Sequence, residues 1–168
     1  MSISMYHAAV PPFVRTLGSL SAILDKALAH ADARKIDPSV FLSSRLYPDM
    51  YPLLKQVQIA SDNAKGSAAR LAGIAPPVFE DTEVTFADLK ERIKKTIDFL
   101  QTLTPQQIDG SEGRDIKLVF PSITLEFTGM DYLLTFAQPN VYFHASMAYA
   151  ILRHNGVEVG KADFLGGV

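Results

Sequence analysis

Gln138-Pro139-Asn140-Val141-Tyr142-Phe143-His144, running on to Arg153-His154-Asn155-Gly156-Val157, is the stretch whose reading decides the fold. It reads as a buried helix carrying two of the four histidines and stopping at Asn155-Gly156. A first helical part over residues 130–137 precedes it. Pro139 predicts a break, with the helix proper over residues 140–154. A histidine inside an apolar helix is either a hydrogen-bonded core residue or a ligand, so the same stretch bears on function.

Outward from this helix, three more long amphipathic segments appear. Phe13, Leu17, Leu20, Leu24, Ala27, Leu28 and Ala31 recur at steps of three and four, one face of a helix over residues 12–33. Pro11-Pro12 predicts a separation or kink between it and a short helical lead over residues 4–10. Asp37-Pro38 is an N-cap with proline at the first helical position, which predicts a short helix over 39–44. The second long helix is expected over 48–72, stopped by Gly73, with Met50, Leu53, Leu54, Val57, Ala60, Ala64, Ala68 and Leu71 as its apolar face. Residues 74–83, with Pro76-Pro77, form a crossing loop. Thr85 with Asp88 three residues on is a variant capping box that opens the third helix, whose stripe is Phe86, Leu89, Ile93, Ile97, Leu100 and Leu103. Thr104-Pro105 opens a short turn over 106–108. Residues 116–120 and 123–128 alternate apolar with polar around Pro121-Ser122 and predict a small hairpin covering one end of the bundle. The tail, 158–168, is expected as an ordered extension laid over the body at Phe164-Leu165. Four long helices with one long crossing loop predict an all-α, four-helix bundle in a single domain, 1–168.

Composition sets the boundaries. The chain has 168 residues, 48% hydrophobic and 20% charged, enough for one substantial core and unlike a disordered chain. Its net charge of -2 gives no electrostatic reason for nucleic acid or an anionic membrane as partner. It has no cysteine, so disulfides, thiolate metal sites and a cysteine nucleophile are excluded. The first residues lack the pattern of a signal peptide, and no apolar run reaches membrane-span length. The expected location is cytoplasmic.

Candidate chemistry centres on the histidines. His144 and His154 stand ten residues apart, roughly 15 Å along a helix axis. Zinc–nitrogen bonds are about 2 Å long, so the two cannot share an ion. The residue at ligand spacing from His144 is Asn140, through its carbonyl oxygen. Neither His-x-x-x-His nor His-Glu-x-x-His occurs. Gln58 and Asp62 share a face of the second helix with Lys55 and Lys65. That face is either a solvated charged stripe or one wall of a polar pocket completed by Asn140 and His144. His144 itself has three readings: a hydrogen-bonded core residue, a pocket residue or a metal ligand. His154 fits a helix stop, where imidazolium favours the dipole. His7 and His30 lack polar company at ligand spacing. Gly110-Ser111-Glu112-Gly113 has no strand-to-helix frame for a phosphate loop or nucleophile elbow.

Several segments together resemble a known group: Leu46-Tyr47-Pro48-Asp49-Met50, Gln56-Val57-Gln58-Ile59-Ala60, Ala64-Lys65-Gly66, Tyr142-Phe143-His144, residues 148–157, and Gly160-Lys161 with Asp163-Phe164-Leu165-Gly166. The chain is similar to the DinB/YfiT-like superfamily, and over nearly its whole length resembles a bacterial branch of it known as a domain of unknown function. The resemblance implies a bundle of up-down-down-up connectivity, often dimeric. Metal-binding members of the superfamily hold a divalent ion with one histidine of the second helix and a His-x-x-x-His pair of the fourth. Laid on this sequence, the pair falls at Asn140 and His144, fixed by the shared Leu-Arg-x-x-Gly-Val, and the second-helix position at Gln58. Two of three ligands are then amides, poorer partners than imidazole for zinc or nickel.

These readings give three expectations. The first is a small-molecule-binding bundle with a degenerate metal site lined by Gln58, Asp62, Asn140 and His144. The second is a non-catalytic homodimeric interaction protein. The third, implied by the resemblance, is a divalent-metal-dependent thiol-transferase-like enzyme using His144 as metal ligand.

Overall fold

The computed structural model describes residues 3–167. In chain order the elements are α1 (Met5–Arg34), α2 (Pro38–Ser43), α3 (Leu53–Ala72), α4 (Phe86–Thr102), α5 (Pro105–Ile108), β1 (Ile116–Val119) and β2 (Thr124–Phe127). Then come α6 (Gly129–Asp131), a π-helical turn (Tyr132–Ala137), α7 (Gln138–His154) and α8 (Lys161–Phe164). No helix among the described residues is long and apolar enough to cross a membrane.

The four long helices pack in a ring: α1 lies against α4 and α7, and α3 lies against the same two. Side-chain contacts fix their directions. Gln56 meets His144 and Ser67 meets Tyr132, so α3 and the helical run ending in α7 are antiparallel. Gln138 reaches Ala8 near the start of α1 while Gly156, just past the end of α7, lies beside His30 near the end of α1, so α1 and α7 run the same way. The crossing loop brings Asp81 and Glu83 back to Lys55 and Gln58 near the start of α3, so α4 sets out parallel to α3. This is the up-down-down-up bundle.

Small residues explain the tightest seam. Ala60, Ala64 and Ala68 on α3 and Val141, Ala145 and Ala148 on α7 are buried at four- and three-residue spacing, which lets the two backbones approach closely. Large side chains fill the rest of the core: Phe13, Leu17, Leu20 and Leu24 from α1, Leu89, Ile93 and Leu100 from α4.

The caps form where the sequence puts them. Asp37 accepts from Ser39 N at 2.9 Å, and Thr85 and Asp88 exchange reciprocal bonds of 3.1 and 2.9 Å at the head of α4. Gly73 ends α3 with φ of 72°, a conformation that disfavours side chains with a Cβ. The hairpin pairs Ile116 with Phe127 and Val119 with Thr124. Phe127 then packs on Tyr132 and Phe136 at ring separations of 5.8 and 5.6 Å. The tail lies over α1, where Arg15 donates to the Leu165 carbonyl and Lys26 pairs with Asp163.

Three boundaries differ from the sequence expectation, each at a proline. Pro11 and Pro12 neither separate nor end the first helix: α1 runs unbroken from Met5. Pro12 has no N–H for the Ala8 carbonyl one turn back. Gln138 Nε2 supplies that donor at 2.8 Å, so the orphaned acceptor is satisfied from another helix. The second long helix begins at Leu53 rather than at 48, because Pro52 acts as N-cap in extended conformation and restricts Tyr51 before it. Met50 therefore belongs to the preceding loop, not to the helix face. Pro139 does not break the last helix either: α6, a π-helical turn and α7 follow one another without leaving helical conformation, and Pro139 sits just past the π-helical turn, where the backbone bonding is already shifted, with Gln138 N–H reaching back to the Leu133 carbonyl.

Candidate functional site

The four residues singled out in the sequence part into two places. Successive residues turn by about 100° around a helix, so Gln56 and Gln58 point about 200° apart. Gln58 and Asp62 face the crossing loop and α4, whereas Gln56 faces α7.

On the α4 side the polar groups close on one another. Arg92, with 1% of its side chain exposed, binds Glu83 at 2.8 Å, Asp62 at 2.8 Å and Asp81 at 3.1 Å. It also donates to the Glu80 carbonyl at 3.2 Å. Gln58 donates to the other oxygen of Glu83 at 2.8 Å. Lys65 pairs with Asp62 at 2.9 Å and lies 4.0 Å over the Phe79 ring, and Lys55 pairs with Asp81. Three carboxylates thus meet three cations. Burial raises the Glu83 pKa, but hydrogen bonds from Arg92 and Gln58 outweigh it and hold the carboxyl below its ordinary value. The Lys55 hydrogen bond holds Asp81 low in the same way, against a smaller effect of burial. Burial works against the Arg92 charge, yet Glu83 and Asp62 keep its pKa raised. The cluster straps the crossing loop to the bundle. A cavity of about 590 Å³ opens beside it, lined among others by Phe79, Thr82, Glu83, Glu91 and Lys95.

On the α7 side the arrangement is sparse. His144 Nδ1 lies 2.7 Å from Gln56 Oε1. Gln56, 1% exposed, uses its amide nitrogen on the Tyr51 carbonyl at 3.1 Å, in the loop that Pro52 closes. The His144 ring stands edge-on to Phe143 at 5.2 Å, and Phe143 and Tyr51 are both exposed. Burial holds the imidazole pKa below its ordinary value, so the ring is neutral at neutral pH. Asn140 is turned inward on its own helix, donating to the Phe136 carbonyl at 2.7 Å.

Sequence reasoning missed Gln56, and the signal was present. Gln56 stands three residues after Leu53 and four before Ala60, both on the buried stripe, while Gln58 is out of phase with it. The remaining histidines do other work. His7 contacts Ser4 Oγ at 3.0 Å in the first turn of α1, His30 packs edge-on against Phe41, and His154 is the last residue of α7.

The donors at the position where the superfamily holds its divalent ion do not fit one. Gln56 has its carbonyl oxygen engaged with His144, Asn140 offers only an amide oxygen while its nitrogen donates to the Phe136 carbonyl, and only one imidazole is present. Gln58, the position carried over from the resemblance, is engaged with Glu83 on the other side of α3. Among the described residues no three His, Cys, Asp or Glu side chains converge as a metal site.

The comparisons agree with the bundle. The family model described as Domain of unknown function (DUF1993) matches residues 5–165. A solved structure of a DinB family member protein from Shewanella denitrificans is 41% identical, with a TM-score of 0.88, over 97% of this chain and 92% of that one. No curated protein matches. With the ring of helices, the connectivity and the family match in agreement, this chain belongs to the DUF1993 family and carries a DinB-like four-helix bundle.

Proposed function

We propose that this protein is a small-molecule-binding bundle in which the position of a metal site has become a hydrogen-bonding site built on His144. One observation carries the reading: His144 is held on one nitrogen by Gln56 while its other nitrogen stays open. The only buried polar side-chain atoms without a partner among the described residues are Arg92 Nε and Ser111 Oγ, so His144 Nε2, which makes no hydrogen bond to the protein, reaches solvent. Exposed Phe143, edge-on to the imidazole, offers apolar surface for the body of a ligand. Gln58 and Asp62, saturated by Glu83 and Arg92, support the bundle and do not line this site.

A fragment screen followed by amide and side-chain NMR shifts tests the proposal. Hits should move His144, Phe143 and Tyr51, and these shifts should vanish in H144L. Hits that instead cluster around Phe79 and Glu91, at the cavity beside Arg92, would sink the reading.

A second reading, self-association, has an observation of its own. Leu28, Ile93 and Ile97 form the apolar part of an open groove of about 650 Å³ between α1 and α4, where small Gly18, Ser21 and Ala87 leave room and Asp25, Lys90 and Lys94 supply charge. Sedimentation equilibrium decides it: a dimer that L28E returns to monomer supports the reading, and a monomer at all concentrations ends it.

A further inference from the structure

We propose that Gln56 is a positioning residue that holds His144 as its neutral Nδ1–H tautomer, so that Nε2 is an acceptor and the site takes ligands bearing an O–H, N–H or S–H donor. The argument runs through three atoms. The Tyr51 carbonyl can only accept, so the end of the Gln56 amide that meets it at 3.1 Å must be the NH₂ group. The opposite amide orientation would set two carbonyl oxygens against each other. Gln56 Oε1 is therefore the atom 2.7 Å from His144 Nδ1, and an oxygen without a proton requires that nitrogen to donate. A neutral imidazole carries one proton, so Nε2 bears the free lone pair. Free histidine in water favours the reverse tautomer, which makes the chain of three groups a device that selects the minor form. Tyr51 is held in turn by the loop before Pro52, where Arg45 donates to the Pro48 and Met50 carbonyls at 3.4 and 3.3 Å. The preference therefore originates in backbone and extends outward to a nitrogen open to solvent.

The ligand class rests on the small-molecule reading above, but the tautomer does not, and the experiment separates them. Nitrogen-15 spectra of the full chain with labelled histidine, at alkaline pH and without ligand, report which ring nitrogen is protonated; H144Q assigns the signal. The expected result is a protonated Nδ1 and a free Nε2. A protonated Nε2 overturns the proposal. Q56L should shift the ring to the solution tautomer, whereas Q56E, which keeps an acceptor oxygen, should restore Nδ1–H. No change in Q56L, with the backbone fingerprint intact, overturns the role of Gln56. Phenol and anisole, which differ in the donor O–H, then test the ligand class. Phenol should shift Nε2, and anisole should bind at least about tenfold more weakly, a difference of about 1.4 kcal/mol. Equal binding of the two overturns the donor requirement. Failure of both to perturb His144 counts against small-molecule binding here while leaving the tautomer measurement to stand on its own.

Discussion

Two glutamines on α3, two residues apart, end in opposite kinds of site. Gln58 enters a cluster in which every carboxylate has a cation and the buried guanidinium binds three acidic side chains. Gln56 enters a pair with one imidazole and leaves a ring nitrogen unbonded. The first arrangement leaves one buried donor, Arg92 Nε, without a partner but sealed from solvent, and serves the fold. The second keeps one lone pair in reserve, which is what recognition of a ligand requires. The charge-rich region of this molecule thus straps the fold together, and the unbonded ring nitrogen lies in the charge-poor one.

The comparison makes predictions of graded size. R92M removes the buried cation from under Asp62, Asp81 and Glu83 and should cost about 3 kcal/mol, since the part-buried Glu83 carboxylate loses its charged partner. Urea denaturation measures it, and a loss below about 1 kcal/mol would place the cluster among ordinary surface pairs.

The pH dependence of stability should separate the two regions next. Asp81 and Glu83 have folded pKa values below their unfolded ones, so their contribution is present above about pH 4 and is lost as pH falls through the folded values. His144 also has a lowered folded pKa, so the unfolded chain takes up its proton first and stability begins to fall below about pH 6.5. R92M should shrink the lower step and H144L should remove the upper one. A lower step unchanged in R92M would show that the strap does not set it.

H144L leaves the Gln56 oxygen without its donor and should cost about 1–2 kcal/mol, while the double variant Q56L/H144L, which also frees the Tyr51 carbonyl, should cost less than the two single variants added together. A double variant as unstable as the sum of the singles would deny the coupling. Smallest of all, D81N at the exposed end of the cluster should change stability by under about 1 kcal/mol and less still at high salt.

The fold was legible because its signals are local. The stripe of Phe86, Leu89, Ile93 and Leu100, the Thr85–Asp88 box and the Gly73 stop each follow from residues within one or two turns. Pro38 was legible for the same reason, but Pro12 was not, since what it does depends on a distant group: it sits within α1 with Gln138, 126 residues later, serving the orphaned Ala8 carbonyl. At His144 the glutamine that meets the ring is Gln56, two positions from Gln58. Family spacing suggested Gln58; the phase of the apolar stripe selects Gln56. A charge cluster built across three elements, with Arg92 at its centre, had no signature in any one of them.

The π-helical turn has a bearing on how this site could have arisen. Tyr132 and His144 both reach α3, through Ser67 and Gln56, though they stand twelve residues apart. Twelve residues of regular α-helix leave two side chains about 120° out of phase, while eleven leave them about 20° apart. The wider turn over Tyr132–Ala137, in which Gln138 N–H reaches the Leu133 carbonyl five residues back, absorbs the odd residue. In ancestry terms it has the form of a single-codon insertion kept in frame with the bundle. Forcing those twelve residues into regular α-helix would swing the imidazole about 100° away from its glutamine, whereas deleting one residue from the turn should keep the two ends in phase, so the irregular turn is what keeps both ends of this longer helix facing the same neighbour.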